Sequence, residues 1–144
     1  HIASQTCISG GGYCIIEDFA GVSAGTKLIT GSAQFNGEGL TSPTLPSSYQ
    51  AVQRSYVILK KHSLLATNVI VHPGITIEEG TVIASGSVVT KNTEPWSIYR
   101  GIPAKKIRDR NSLILKKQEL KLYEDQKLIP SDFNYIIEKL IKTE

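Results

Sequence analysis

Aliphatic residues recur every six positions through the middle of this chain: Leu59, Leu65, Val71, Ile77, Ile83 and Val89. A helix would place them three or four apart, and a simple half-buried strand two apart. A period of six predicts short strands that each form one side of a coil, with successive coils stacked. A second register agrees. Ser63, Val69, Ile75, Thr81 and Ser87, four residues after the anchors, are all small or β-branched. Between the two registers lie turn-compatible residues (Lys61, Thr67, Pro73, Glu79, Ser85) followed by His62, Asn68, Gly74, Gly80 and Gly86. The last set tolerates positive φ, Gly best of all. Each hexad thus predicts an inward aliphatic residue, an outward one, a bend and a second, smaller inward residue.

The pattern also occupies the start of the chain. Ile2 and Ile8 are six apart, as are Ile16, Val22 and Leu28, with Ala20, Thr26 and Ser32 in the second register. Gly25 and Gly31 fill two bend positions and Phe19 breaks the rule at the third. The spacing of eight between Ile8 and Ile16 predicts a small loop around Gly10-Gly11-Gly12. Hexads therefore cover 1–32 and 57–91, separated by a stretch from Ala33 to Tyr56 that holds Gly37, Gly39, Pro43 and Pro46. A loop of that length usually has a function, with a tolerated insertion as the plainer alternative. Pro95, Gly101 and Pro103 should end the repeats, and Lys105, Lys106, Arg108 and Arg110 follow as a basic exit. An irregular amphipathic helix is predicted from Ser112 to Gln126, and a second one capped by Ser131 or Asp132 and carrying Phe133, Tyr135, Ile136, Ile137, Leu140 and Ile141. Both should pack on the coils or on a neighbouring subunit. We divide the chain into a coil domain, 1–104, with the loop 33–56 inserted, and a tail, 105–144.

Composition narrows the function. A chain of 144 residues that is 40% hydrophobic and 20% charged reads as one soluble domain. A net charge of +3 is too small to argue for nucleic acid. No apolar run of about 18 residues and no leader pattern indicates a membrane span or export. Cys7 and Cys14 lack a CxxC spacing or a nearby His, so packed thiols in a reducing, cytoplasmic setting are expected rather than a metal or redox site. The chain has no Met and opens in mid-pattern, so we expect residues before His1 in the natural protein.

These hexads fit [LIV]-[GAED]-x-x-[STAV]-x, and the chain resembles the hexapeptide-repeat acyltransferases, in particular the maltose and galactoside O-acetyltransferase branch and the acetyltransferases of surface-polysaccharide and nucleotide-sugar pathways. Val71-His72-Pro73-Gly74-Ile75-Thr76-Ile77 resembles that group's PGVTIG coil, Gly86–Lys91 its GSVVTK, and Gly101–Ile107 its GxPAKxI exit. Gly21–Gly25 and Gly39–Pro46 are similar to the polysaccharide-associated subgroup. The resemblance covers roughly residues 1–110. It implies an all-β fold, a left-handed parallel β-helix of hexapeptide coils with a protruding loop and a C-terminal helical tail, working as a homotrimer. Spacing by itself carries no hand, and ordinary parallel crossovers would favour the right. It implies acetyl-CoA as co-substrate, a sugar or nucleotide-sugar acceptor with a reactive hydroxyl or amino group, and no metal.

Acyl transfer from a thioester needs a base, a donor to the tetrahedral oxyanion and a groove for the long coenzyme arm. The resemblance matches Thr67 and Ser85 to coil positions that touch pantetheine, Thr90 and Lys91 to the nucleotide end, and Lys105 and Arg108 to phosphate-facing positions, where cations pair well with phosphate. The family's sugar O-acetyltransferases carry a catalytic His in the long loop. Here the loop has none and offers Gln34, Asn36 and Glu38, while the acidic residues expected near Ala33 and Gln34 are missing. Of the three histidines, His62 falls at a bend and reads as structural, and His72 reads as an exposed residue before Pro73. His1 precedes Ile2 as the subgroup's HI pair does, on the side expected to carry the loop, and is our candidate base. Gln5, close to the glycine-rich insertion, is a candidate substrate contact alongside Gln34, Asn36 and Glu38. Without a loop His the chemistry leans to an amino acceptor, which titrates within reach of neutral pH once desolvated. Trp96 and Tyr99 could stack on a ligand ring or pack the end of the coils.

Two other readings compete. A zinc carbonic anhydrase of this fold would need three histidines on adjacent coils, whereas His62 and His72 are ten apart and His1 is remote. A non-catalytic trimeric β-helix for binding or scaffolding would bind coenzyme A without turnover.

Overall fold

The computed structural model describes residues 1–131 together with 134, 137 and 138. Five strands precede the long loop: β1 (Cys7–Ser9), β2 (Tyr13–Ile16), β3 (Gly21–Val22), β4 (Lys27–Ile29) and β5 (Gly31–Ala33). After it come β6 (Val52–Arg54), β7 (Tyr56–Leu59), β8 (Leu64–Leu65), β9 (Ile70–Val71), β10 (Ile75–Ile77), β11 (Val82–Ile83) and β12 (Val88–Val89). Then follow β13 (Ser97–Gly101), β14 (Ala104–Asp109) and the helix α1 (Leu113–Gln126). The second helix expected beyond Ser131 falls mostly outside the described residues.

The chain builds three parallel sheets and visits them in rotation. Sheet one runs β3-β8-β11-β13 with β14 added antiparallel at its edge, sheet two β1-β4-β9-β12, and sheet three β2-β7-β10. Leu64 pairs with Val82, Ile70 with Val88 and Val57 with Ile75, so the chain returns to each sheet after three hexads. The anchors Leu59, Leu65, Val71, Ile77, Ile83 and Val89 are all 0–2% exposed. Fully burying one such side chain stabilises the fold by about 1.5–3 kcal/mol. The second register is small because it sits inside the corners, where the hydroxyls of Thr81 and Ser87 bond the backbone while that of Ser63 is buried without a partner. Thr81 donates to the Glu94 carbonyl (2.8 Å), and Ser87 donates to the Ala84 carbonyl (2.7 Å) while accepting from the Gly101 N–H (3.1 Å).

Three columns of bends join the sheets. The first corner stacks Gln5, Gly25, Asn68 and Gly86, linked by N–H bonds from Gly25 to Ser4, from Asn68 to Ala24 and from Gly86 to Thr67. The second carries the Gly10–Gly12 turn, the base of the long loop and Gly74. The third stacks Phe19, His62, Gly80 and Trp96, all with φ between 51° and 68°. Phe19 thus occupies its bend in the glycine conformation despite its size.

Several expectations need correction. Gly31 is not a bend: it lies in β5, where its close neighbour is the Gly10 carbonyl and any Cβ would collide with it. The coil continues past the last hexad, because Ile98 and Tyr99 of β13 pair parallel with Val82 and Ile83 after a Pro95-Trp96 bend. Ile2 and Ile8, in register with the inward anchors, are 53% and 47% exposed. Cys14 packs against the core, but Cys7 is exposed on β1. Trp96 and Tyr99 both pack: Trp96 lies over Gly80, and the buried Tyr99 accepts a hydrogen bond from the Glu94 N–H (3.0 Å).

Helix α1 covers the third corner. Asn111 caps its start by accepting from the Leu113 N–H (2.9 Å), and Lys127 ends it in the left-handed region. Glu119 bonds His62 Nε2 (2.6 Å) and pairs with Lys61. Phe19 stacks on His62 at 5.1 Å and meets the Tyr123 ring edge-on at 5.7 Å. Arg110 Nη1 donates to the His62 and Gly80 carbonyls (3.1 and 2.8 Å), tying the approach to the helix to the same column.

Candidate functional site

The long loop leaves the coils through β5 and returns through β6, which pair antiparallel: Gly31 with Arg54, Ser32 with Gln53 and Ala33 with Val52. This ribbon projects from the second corner. Beneath it, sheet two ends in an outward column formed by Ile29, His72 and Thr90, since Leu28, Val71 and Val89 face inward on paired strands. The His72 N–H donates to the Val89 carbonyl (3.0 Å), which fixes its backbone over Thr90. Ribbon and column together enclose a cavity of about 240 Å³ lined by Ser32, Ala33, Gln34, Phe35, Gln53, His72, Pro73 and Thr90. Gln34 Nε2 donates to Gln53 Oε1 across the ribbon (3.4 Å), and Phe35 is 91% exposed. Among the described residues no carboxylate lines this space.

The structure groups some sequence-derived candidates and separates others. Gln34 and Thr90 share the cavity. Asn36 and Glu38 lie further out, where the Asn36 side chain accepts from the Glu38 N–H (3.2 Å) and shapes the loop. Lys91 follows Thr90 at the second corner and is exposed. Thr67 and Ser85 stand one coil apart on the exposed first corner. Arg100, one residue past the Ile83–Tyr99 pair, continues toward that corner, with Lys105 as its antiparallel partner on β14; Arg108 pairs with Ile98 further back. Among the described residues Lys91, Lys105 and Arg108 have no ion-pair partner, whereas Lys106 is held by Glu94 (2.7 Å) and Asp109 (2.8 Å).

Two placements differ from expectation. Gln5 belongs to the first corner, with β1 between it and the glycine turn. His1 stands on sheet one, where its carbonyl accepts from the Val22 N–H (2.9 Å), and it does not share the loop's corner. A coil carries its side chains around three faces, so nearness in sequence does not mean the same corner. Sequence reasoning passed over His72 and Gln53. A His replacing an ordinary coil residue just before Pro-Gly was a usable signal; the ribbon that brings Gln53 over it was not visible. His62 is engaged elsewhere, buried against Glu119. Among the described residues no group of three or more His, Cys, Asp or Glu could hold a metal, and no helix is long and apolar enough to cross a membrane.

No protein-family model matches the chain. It is 30% identical over 120 residues to the dTDP-4-amino-4,6-dideoxy-D-glucose acyltransferase of Escherichia coli, covering 83% of this chain and 62% of that one. It is 32% identical over 107 residues to a chloramphenicol acetyltransferase of Klebsiella aerogenes, covering 67% of this chain and 51% of that one. The chain thus spans between half and two thirds of the length of these curated relatives. Its structure superposes with a TM-score of 0.80 and 33% identity on AntD, an N-acyltransferase from Bacillus cereus in complex with dTDP and 3-hydroxybutyryl-CoA, over 88% of this chain and 68% of that one.

Proposed function

Because the chain belongs to the hexapeptide-repeat acyltransferases, we propose that it transfers an acetyl group from acetyl-CoA to an amino or hydroxyl group of a sugar or nucleotide sugar in surface-polysaccharide synthesis. One observation carries this reading: the chain offers an extended polar edge and, on the neighbouring corner, a compact cavity. Thr67 and Ser85 stack along the edge with Lys105 toward its lower end. Gln34, Gln53, His72 and Thr90 ring the cavity. A long, phosphorylated thioester suits the first and a small polyhydroxylated acceptor the second.

In this reading the coils wind as a left-handed β-helix and three copies associate, so that the edge of one copy faces the cavity of its neighbour. The exposed Lys91, Lys105 and Arg108 hold the coenzyme phosphates. Backbone groups and hydroxyls at Thr67 and Ser85 line the pantetheine arm. The amides of Gln34 and Gln53 bond sugar hydroxyls, with Asn36 and Glu38 further along the loop and Phe35 placed to stack on a ring. His1 and Gln5, on other faces, would reach an acceptor only across a subunit interface. Two similar proteins point to an amino acceptor, since the AntD structure is of an N-acyltransferase and the Escherichia coli relative is named for an amino sugar. The site is assigned to the cytoplasm, where acyl-CoA is available.

Titration calorimetry with acetyl-CoA at low and moderate salt tests the reading. Saturable binding that weakens with salt is expected. The Lys105→Ala/Arg108→Ala double variant should bind about tenfold more weakly and lose much of the salt dependence. Absence of binding by an intact trimer would overturn it and leave a scaffold.

A further inference from the structure

We propose that His72, on the coil stack itself, is the general base that takes the acceptor's proton, a role the long loop does not supply in this chain. The inference rests on the acyl-transfer reading above and deepens it. His72 is exposed, its backbone is held by the Val89 carbonyl, and its side chain lines the 240 Å³ cavity beside Thr90, the residue matched to the coenzyme. An acceptor in that cavity would therefore meet an imidazole, with the thioester arriving along the polar edge of a neighbouring copy as in the reading above. The other histidines are placed elsewhere, His62 buried against Glu119 and His1 on sheet one. Among the described residues the lining contributes no other titratable group; Arg54 and Lys91 adjoin it in sequence, beside Gln53 and Thr90. No neighbouring carboxylate therefore competes for the proton.

The step balances without any further reactant. An ammonium acceptor loses one proton to solvent to become the free amine, whose nitrogen lone pair attacks the thioester carbonyl. His72 removes a second proton from nitrogen as the tetrahedral adduct forms. The carbon–sulfur bond then breaks, and the coenzyme thiolate leaves and takes that proton back from the imidazolium. The products are an amide and the free thiol. Gln34 and Gln53, bonded to each other, can turn their remaining amide valences to the acceptor and hold its nucleophile over the ring.

The experiment compares wild type with His72→Gln and His72→Ala, using dTDP-4-amino-4,6-dideoxyglucose and acetyl-CoA. Both variants should lose about 100-fold or more in kcat while acetyl-CoA affinity stays within twofold. Added imidazole should restore part of the rate to His72→Ala, and in hydrolysis of acetyl-CoA, where no ammonium titrates, the acid limb of the wild-type pH profile should vanish in His72→Gln. If that acceptor is not turned over, hydrolysis of bound acetyl-CoA, with water as nucleophile, carries the same comparison. Near-wild-type turnover in His72→Gln would overturn the assignment, as would a comparable loss in His1→Ala with His72 variants unaffected. Failure of the wild type to bind acetyl-CoA would instead remove the acyl-transfer reading beneath it.

Discussion

Gly80 and Gly86 form a natural controlled pair. Both sit at coil bends with nearly the same backbone, φ +68° and +69°. A Cβ added at Gly86 meets nothing within 4 Å, whereas one at Gly80 lies 2.4, 2.5 and 2.8 Å from three ring carbons of Trp96. Alanine in this left-handed region costs about 1–2 kcal/mol at either site. At Gly80 the clash adds about 1–3 kcal/mol, the usual cost of overpacking, because Trp96 has little room to move. Its ring is 6.0 Å from that of His62, with the Lys116 ammonium 4.9 Å and the Arg110 guanidinium 6.0 Å from its centroid. Gly86→Ala should therefore lose about 1–2 kcal/mol and Gly80→Ala about 2–5 kcal/mol. Urea unfolding followed by far-ultraviolet circular dichroism, at one protein concentration for all variants, measures both. In a Trp96→Ala background the Gly80→Ala cost should fall to that of Gly86→Ala. Equal losses at the two glycines, or a Gly80→Ala cost unchanged without Trp96, would refute the claim that the third corner is packed to contact.

Two further outcomes concern α1 and the thiols. Burial alone would raise the Glu119 carboxyl, but hydrogen bonds from Lys61 and His62 bring it below its ordinary 4.5. A lowered folded-state value stabilises the protein above that pH, and the contribution is lost as pH falls through the folded value. Thermal midpoints should thus drop on acidification below about pH 4.5 in wild type, and less so in Glu119→Gln, which should already be about 1–3 kcal/mol less stable at pH 7; parallel pH curves for the two proteins would contradict this. Burial also pushes the Cys14 thiol up, while Cys7 is exposed. A thiol-reactive disulfide reagent at pH 8 should titrate one cysteine per chain quickly and the second only on unfolding; two fast equivalents would show that packing against the core does not shelter Cys14.

Much of the fold was legible because a coil repeats one local problem. The buried anchors, the small second register and the bends at His62, Asn68, Gly74, Gly80 and Gly86 each follow from hexad position. The exceptions arise where the chain departs from repetition. Gly31 occupies a bend position but runs on into the ribbon, and Ser97–Gly101 continue sheet one with no hexad to announce them. For the candidate site, Gln34 and Thr90, chosen for different roles, lie in one cavity. His72 was seen as a residue but not as a neighbour of the loop.

The sequence by itself determined the period, the inward and outward faces of each short strand, the positions of most bends and the family, since all of these depend on contacts within one or two coils. Tertiary structure decided which corner each outward residue occupies. That depends on the cumulative phase of three faces and on where the loop leaves the stack. It separated Thr67 and Ser85 from Thr90 and Lys91, moved His1 and Gln5 away from the loop, and set Gln34 and Gln53 over His72. It also decided that α1 closes the third corner, through a Glu119 contact to Lys61 and His62 spanning nearly sixty residues of chain, too far apart for any local pattern to foretell.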